Sequence, residues 1–227
     1  MNALLLKAAT EEDILVIRQF GIPAIFSPVF EYFPCVHPEM VTNLLALENT
    51  GWIFTSKRAV TAVMKYLPSA SSDHPILSVG HGCAHLLSEN GFRVNETFDC
   101  ATALASSLYG YKAKSWIYFC GAVRRPEIRN YCLQYRIHLQ EEVVYEHRQL
   151  ALDLTTSTFT SIWAFSSATL KAFTDQTQNR YSDLPLFCIG PTTADTGRSL
   201  GFRKIFTSII PDLPAMARLY QQSNFIL

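Results

Sequence analysis

The chain has 227 residues, 48% of them hydrophobic and 17% charged, enough apolar material for one large domain or two small ones. Lysine plus arginine and aspartate plus glutamate both number 19, so the net charge is zero. That argues against general nucleic-acid or membrane-surface binding, which needs a positive field, and leaves room only for a local basic cleft. No stretch approaches the ~20 apolar residues of a bilayer span, and the opening MNALLLKAATEED lacks a basic start, so it reads as a strand and not as a signal peptide. A cytoplasmic protein is expected. Six cysteines, at 35, 83, 100, 120, 132 and 188, form no C-x-x-C pair and lie mostly in or beside apolar runs, the pattern of buried free thiols.

Ala3–Leu6 is a short apolar run, typical of a strand buried on both faces of a parallel sheet. Thr10 followed by Glu11, Glu12 and Asp13 offers an N-cap oxygen and first-turn acids, and the helix runs to a stop at Gly21. Pro23–Phe26 is a second strand. Trp52–Thr55 is a strand, with Ser56 capping a helix through Val60, Val63, Met64 and Leu67; Pro68–Pro75 is a polar turn. Ile76–Val79 is a strand and His81–Asn90 a helix stopped by Gly91, after which Phe92–Val94 begins the next strand. Strand Trp116–Cys120 leads through GAVRRPE to a helix over Ile128–Tyr135 and an extended stretch, Ile137–Tyr145. Strand Ser161–Phe165 follows, then a Ser166-capped helix to about Thr174, strand Leu186–Ile189, helix Thr192–Leu200, a stop at Gly201 and strand Lys204–Phe206. Strands alternating with helices predict an α/β fold with parallel sheets.

A repeat runs through these elements. An offset of 110 residues superimposes Ser56 on Ser166, Gly80 on Gly190, Gly91–Phe92 on Gly201–Phe202, Ala84 on Ala194 and Arg93 on Arg203. The period is too long for a solenoid and fits a duplicated domain with a cleft between its copies. A βαβ unit at 3–32 recurs near 115–147, and both run out into extended pieces, PVFEY at 28–32 and EVVYEH at 142–147. Similar exits suggest paired strands crossing between two lobes. The residues leave open whether each lobe is built from neighbouring or exchanged units.

Ligands of doubly wound sheets bind beyond the carboxyl ends of the strands. There the repeat places TSKR at 55–58, with Ser56, Lys57 and Arg58, and GHGC at 80–83, with Gly80, His81, Gly82 and Cys83. It also places GAVRR at 121–125, with Gly121, Arg124 and Arg125, then SSAT with Ser166 and Ser167, and GPTTAD with Gly190, Pro191, Thr192 and Thr193. Each loop opens a helix, whose N-terminus suits anions, and Lys7 adds positive charge. Capping explains Ser56, Ser166 and Thr192 taken singly; five such loops point to a ligand with many carboxylates or phosphates. There is no G-x-x-x-x-G-K-[ST], no G-x-G-x-x-G opening a βαβ unit and no G-x-S-x-G elbow. His81 and His85 have the i, i+4 spacing of half a metal site but no third ligand nearby, so no metal is expected. Cys120 reads as strand-end packing.

The segments LLLK (4–7), IFTSKRAV (53–60), SVGHGCAHLLSENGF (78–92), CGAVRRPEI (120–128), EVVYE (142–146), AFSSATL (164–170) and CIGPTTADTGRSLGF (188–202) together resemble uroporphyrinogen-III synthases, in the family's order over nearly the whole chain. The resemblance implies two flavodoxin-like doubly wound lobes joined by a two-stranded linker. One lobe would comprise residues 1–32 plus 150–227 and the other 36–142, with linker strands near 28–35 and 142–149. It implies cyclisation of hydroxymethylbilane to uroporphyrinogen III, with inversion of the last ring, loss of water and no cofactor. The eight carboxylates of that substrate fit the anion-binding loops. Tyr145 occupies the family's candidate tyrosine position, where a protonated phenol can donate to the leaving hydroxyl. Cys83 stands where the family often has a hydroxyl residue, whereas Thr193 keeps it. A monomer hinged at the linker is implied, taking a tetrapyrrole handed over from its own synthase, with no nucleic-acid or membrane partner. A bilobal tetrapyrrole-binding protein without catalysis, or an α/β enzyme for a phosphorylated metabolite, are the other classes the residues allow.

Overall fold

The computed structural model describes residues 2–67, 74–155 and 157–223. Residues 68–73 of the expected turn at Pro68–Pro75 lie outside them. In chain order the first elements are β1 (Asn2–Leu5), α1 (Glu11–Gln19), β2 (Ala24–Phe26), β3 (Phe30–Pro34), α2 (Pro38–Leu45), β4 (Thr50–Phe54) and α3 (Lys57–Val63), which continues as a 3-10 turn at Met64–Tyr66. Next come β5 (Ile76–Val79), α4 (His81–Glu89), β6 (Glu96–Phe98), α5 (Ala101–Ser107), β7 (Ser115–Gly121), α6 (Glu127–Tyr135) and β8 (His138–Gln149). The last are β9 (Phe159–Ala164), α7 (Ser167–Thr177), β10 (Leu186–Cys188), α8 (Pro191–Ser199), β11 (Ile205–Thr207) and α9 (Leu213–Ser223).

The chain divides into two compact units, Met1–Glu31 with Arg148–Leu227, and Tyr32–His147. The first holds a sheet of order β2-β1-β9-β10-β11, parallel throughout. The second sheet has the order β3-β8-β7-β4-β5-β6, and every pair from β8 to β6 is parallel. Matched through the repeat, β7 and β8 correspond to β1 and β2, and β4–β6 to β9–β11. Both sheets therefore have the flavodoxin-like order 2-1-3-4-5, circularly permuted in the second unit. The expected α/β class with two parallel sheets is the one observed.

The strands are apolar on both faces because helices cover both faces. All five residues of β4 are buried, and Trp52, Trp116 and Trp163 are the largest fully buried side chains. In the second unit one cluster gathers under α2, α3 and α4 around Trp52 and Phe54, and another under α5 and α6 around Ile53 and Trp116.

Three helix ends share one stop. Gly21, Gly91 and Gly201 have φ of 61°, 83° and 87°. The next residue, Ile22, Phe92 or Phe202, donates its N–H back to Ile17, Leu87 or Gly197 and is buried, a Schellman closure with its hydrophobic contact. This corrects one expectation: Phe92 closes α4 and does not start a strand, and β6 begins only at Glu96.

Candidate functional site

Ser56 and Ser166 serve as caps. The Ser56 Oγ accepts from the Arg58 N–H at 3.2 Å, and the Ser166 Oγ from the Thr169 N–H at 3.1 Å. By contrast α4 and α8, each nine residues long, start at Gly80 and Gly190 with no side-chain cap. The helix starts of the repeat that lack a side-chain acceptor are therefore GHGC and GPTT, although the Cys83 N–H donates to the Gly80 carbonyl at 3.0 Å. Gly80 has φ 80°, and the absent side chain at Gly82 makes room for the stem of Lys57, which lies across the start of α4. The equivalent place in the other unit is neutral: the Ser167 hydroxyl donates to the Thr192 carbonyl at 3.1 Å and accepts from Thr196 at 2.9 Å. Pro191 takes the first helical position of α8.

Cys83 and Thr193 are both buried beneath these turns. The Cys83 thiol donates to the Phe54 carbonyl at 3.7 Å, and burial pushes its pKa up to about 11. It is a neutral packing group. Cys120 is similar: its thiol donates to the Glu142 carbonyl at 3.4 Å, and burial raises its pKa to about 12. Of the six cysteines, only Cys100 is exposed. His81 is exposed, and His85 pairs with Glu89 at 3.1 Å.

The expected cations sort into two groups. Lys7 sits 2.7 Å from Asp13 and 5.1 Å above the Phe165 ring. Arg124 donates to Glu141 at 2.8 Å and to the Ala122 carbonyl at 3.2 Å. Both charges are compensated locally. Arg125 is exposed. Lys57 and Arg58 instead line a cavity of about 680 Å³ within the Tyr32–His147 unit, joined by Lys65, Tyr32, Tyr66 and Tyr145. No carboxylate among the described residues lines it. The Arg58 guanidinium stacks 3.6 Å from the Tyr32 ring centroid, which lies 6.3 Å from that of Tyr145. Sequence reading missed Tyr32, Lys65 and Tyr66; the signal for Lys65 was the exposed stripe at positions 57, 58, 61 and 65 of α3 and its 3-10 continuation.

Tyr145 reaches this cavity through a bulge. Cys120 pairs with Val143 but Gly121 pairs with Tyr145, so β8 carries one extra residue there. Val143 packs toward α5 and α6, whereas Val144 and Tyr145 both pack toward the α3 side. Regular alternation would have sent Tyr145 to the other face. Its ring lies against Gly121, where a Cβ would collide with it. Close by, the Tyr118 hydroxyl bonds that of Thr55 at 2.8 Å, and burial lifts its pKa to about 12.

A family model described as uroporphyrinogen-III synthase HemD matches residues 11–218. A mutant uroporphyrinogen III synthase from Thermus thermophilus superposes with a TM-score of 0.69 at 14% identity, over 99% of this chain and 98% of that one. Uroporphyrinogen-III synthetase from Helicobacter pylori 26695 does so with 0.65 at 17% identity, over 98% and 99%. No curated protein matches the chain in sequence.

Proposed function

The chain belongs to the uroporphyrinogen-III synthase family, and we propose on that premise that it cyclises hydroxymethylbilane to uroporphyrinogen III, inverting the last pyrrole ring and releasing water. The observation that carries the reading, beside the family match over residues 11–218, is the acid-free cavity where Lys57, Arg58 and Lys65 stand among tyrosines. A linear tetrapyrrole combines electron-rich rings with carboxylates, and this lining offers a counterpart to each.

The Tyr145 phenol donates its proton to the departing hydroxyl. The C–O bond breaks, water leaves, and an electron-poor azafulvenium remains. The substituted α-carbon of the last ring attacks this azafulvenium to give a spiro cation; the older bond from that carbon to its bridging methylene then breaks, the freed methylene bonds the ring's unsubstituted α-carbon, and the hydrogen displaced there returns to the phenolate. The protein supplies position and charge: the start of α4, with Lys57 across it in the same unit as the cavity, holds a carboxylate, and Gly121 lets the Tyr145 ring approach the strand end closely. Lys7 and Arg124, tied to Asp13 and Glu141, hold the loops in place. No helix among the described residues is long and apolar enough to cross a membrane, and a cytoplasmic monomer receiving its substrate from the preceding synthase fits this reading.

The test is a coupled assay in which hydroxymethylbilane is generated by its own synthase with and without this protein. Type III product establishes the activity. Type I product alone, from folded protein, refutes it and leaves a binding protein in its place.

A further inference from the structure

The cavity lies between a helix and an edge strand. Its one wall is the outer face of α3 and the following turn, from Lys57 to Tyr66, and its other is Tyr32, Phe33 and Pro34 of β3. Seven residues of α-helix and the three-residue 3-10 turn carry that first wall about 15 Å along its axis. The lining repeats one arrangement, a cation over a tyrosine ring. Near its start the Arg58 guanidinium lies 3.6 Å from the Tyr32 centroid; farther along, the Lys65 ammonium lies 4.8 Å from the Tyr66 centroid. Lys65 is exposed and makes no ion pair among the described residues. The repeat does not explain it, because the residues 110 positions on from Arg58, Lys65 and Tyr66 are Ala168, Asp175 and Gln176. This arm belongs to one copy only.

We propose that Lys65 and Tyr66 form a distal subsite for a pyrrole ring and its carboxylate, making Lys65 a residue that selects densely carboxylated tetrapyrroles. This rests on the synthase reading of the same cavity. The ammonium meets a carboxylate without breaking an ion pair, and the edge and uncovered face of the Tyr66 ring offer a surface for the pyrrole.

The test compares Lys65→Gln and Lys65→Arg with the unaltered protein in three measurements: KM for hydroxymethylbilane, affinity for uroporphyrin I, and affinity for coproporphyrin I, which has half the carboxylates. Lys65→Gln should raise KM and weaken uroporphyrin binding about three- to tenfold, the range of one partly exposed charge contact. It should weaken coproporphyrin binding less and reduce the salt dependence of uroporphyrin binding. Lys65→Arg should recover both. Uroporphyrin affinity and KM within about twofold of the unaltered protein overturn the subsite. Failure of the unaltered protein to form type III product sinks the synthase reading instead, and the porphyrin affinities then judge the subsite without catalysis.

Discussion

Tyr145 shows how a single side chain depends on its surroundings. The family resemblance marks it as a candidate acid, and the extra residue in β8 turns it toward the cavity lined by Arg58 and Tyr32. Replacing Tyr145 with Phe should lower kcat about 10²-fold, the scale of general acid catalysis, with much smaller changes in KM and Tm. Gly121→Ala places a methyl group where the Tyr145 ring now lies and should depress kcat by displacing it. Rate measurements on both single variants and the double decide the matter: if Gly121 acts through Tyr145, the double variant is no slower than Tyr145→Phe. Additive losses would refute that coupling, and full activity of Tyr145→Phe would remove the acid role. Among the cations, Lys7 and Arg124 are indistinguishable from Lys57 and Arg58 when only residue type and loop position are known. Their acid partners, Asp13 and Glu141, separate the two groups.

Helices and strands were legible where punctuation was strong. Thr10 makes a complete capping box, its hydroxyl accepting from the Asp13 N–H at 3.1 Å while the Asp13 carboxylate accepts from the Thr10 N–H at 3.1 Å. Thr10→Ala should therefore cost about 1 kcal/mol, read as a lower urea midpoint with an unchanged slope; an unchanged midpoint would deny the cap its role. Gly91 and Gly201 were readable as stops, yet Phe92 was assigned to a strand because closure of a helix end and the start of a strand both call for an apolar residue. Helices α2, α5 and α9 escaped the reading. α5 starts at Cys100 without a side-chain cap, and α2 at Pro38 likewise. α9 did carry a signal: Asp212 accepts from the Ala215 N–H at 2.7 Å, and Leu213, Met216, Ala217 and Tyr220 form its buried stripe.

Taken as a molecule, the protein should be acid-sensitive for two identifiable reasons. Burial alone would raise the Asp13 carboxyl, but Lys7 and Thr10 outweigh it and hold it below its ordinary 3.8. The Arg124 hydrogen bond, working against burial, holds Glu141 below its ordinary 4.5. Both acids thus release protons more readily folded than unfolded. Their stabilisation is present above those ordinary values and is lost as pH falls through the lower folded ones. Unfolding free energy measured in urea should drop between about pH 5 and pH 3, and Arg124→Gln should make that drop shallower. A flat profile across the window would exclude both pairs as contributors.

The chain's local chemistry was enough to establish an α/β protein with parallel sheets and a duplicated motif. Alternating apolar runs, caps and glycine stops act over a few neighbouring residues, and the 110-residue offset needs no coordinates. Other features depend on groups far apart in sequence. β1, at the start of the chain, hydrogen-bonds to β9, which begins at Phe159, so one unit takes both ends of the chain. The β8 bulge aims Tyr145, and tertiary packing puts Lys65 and Tyr66 in the lining of the same cavity as Tyr32. Long-range hydrogen bonding and side-chain packing choose among pairings that local propensity leaves equivalent, and they alone decide which charges are neutralised and which face the cavity.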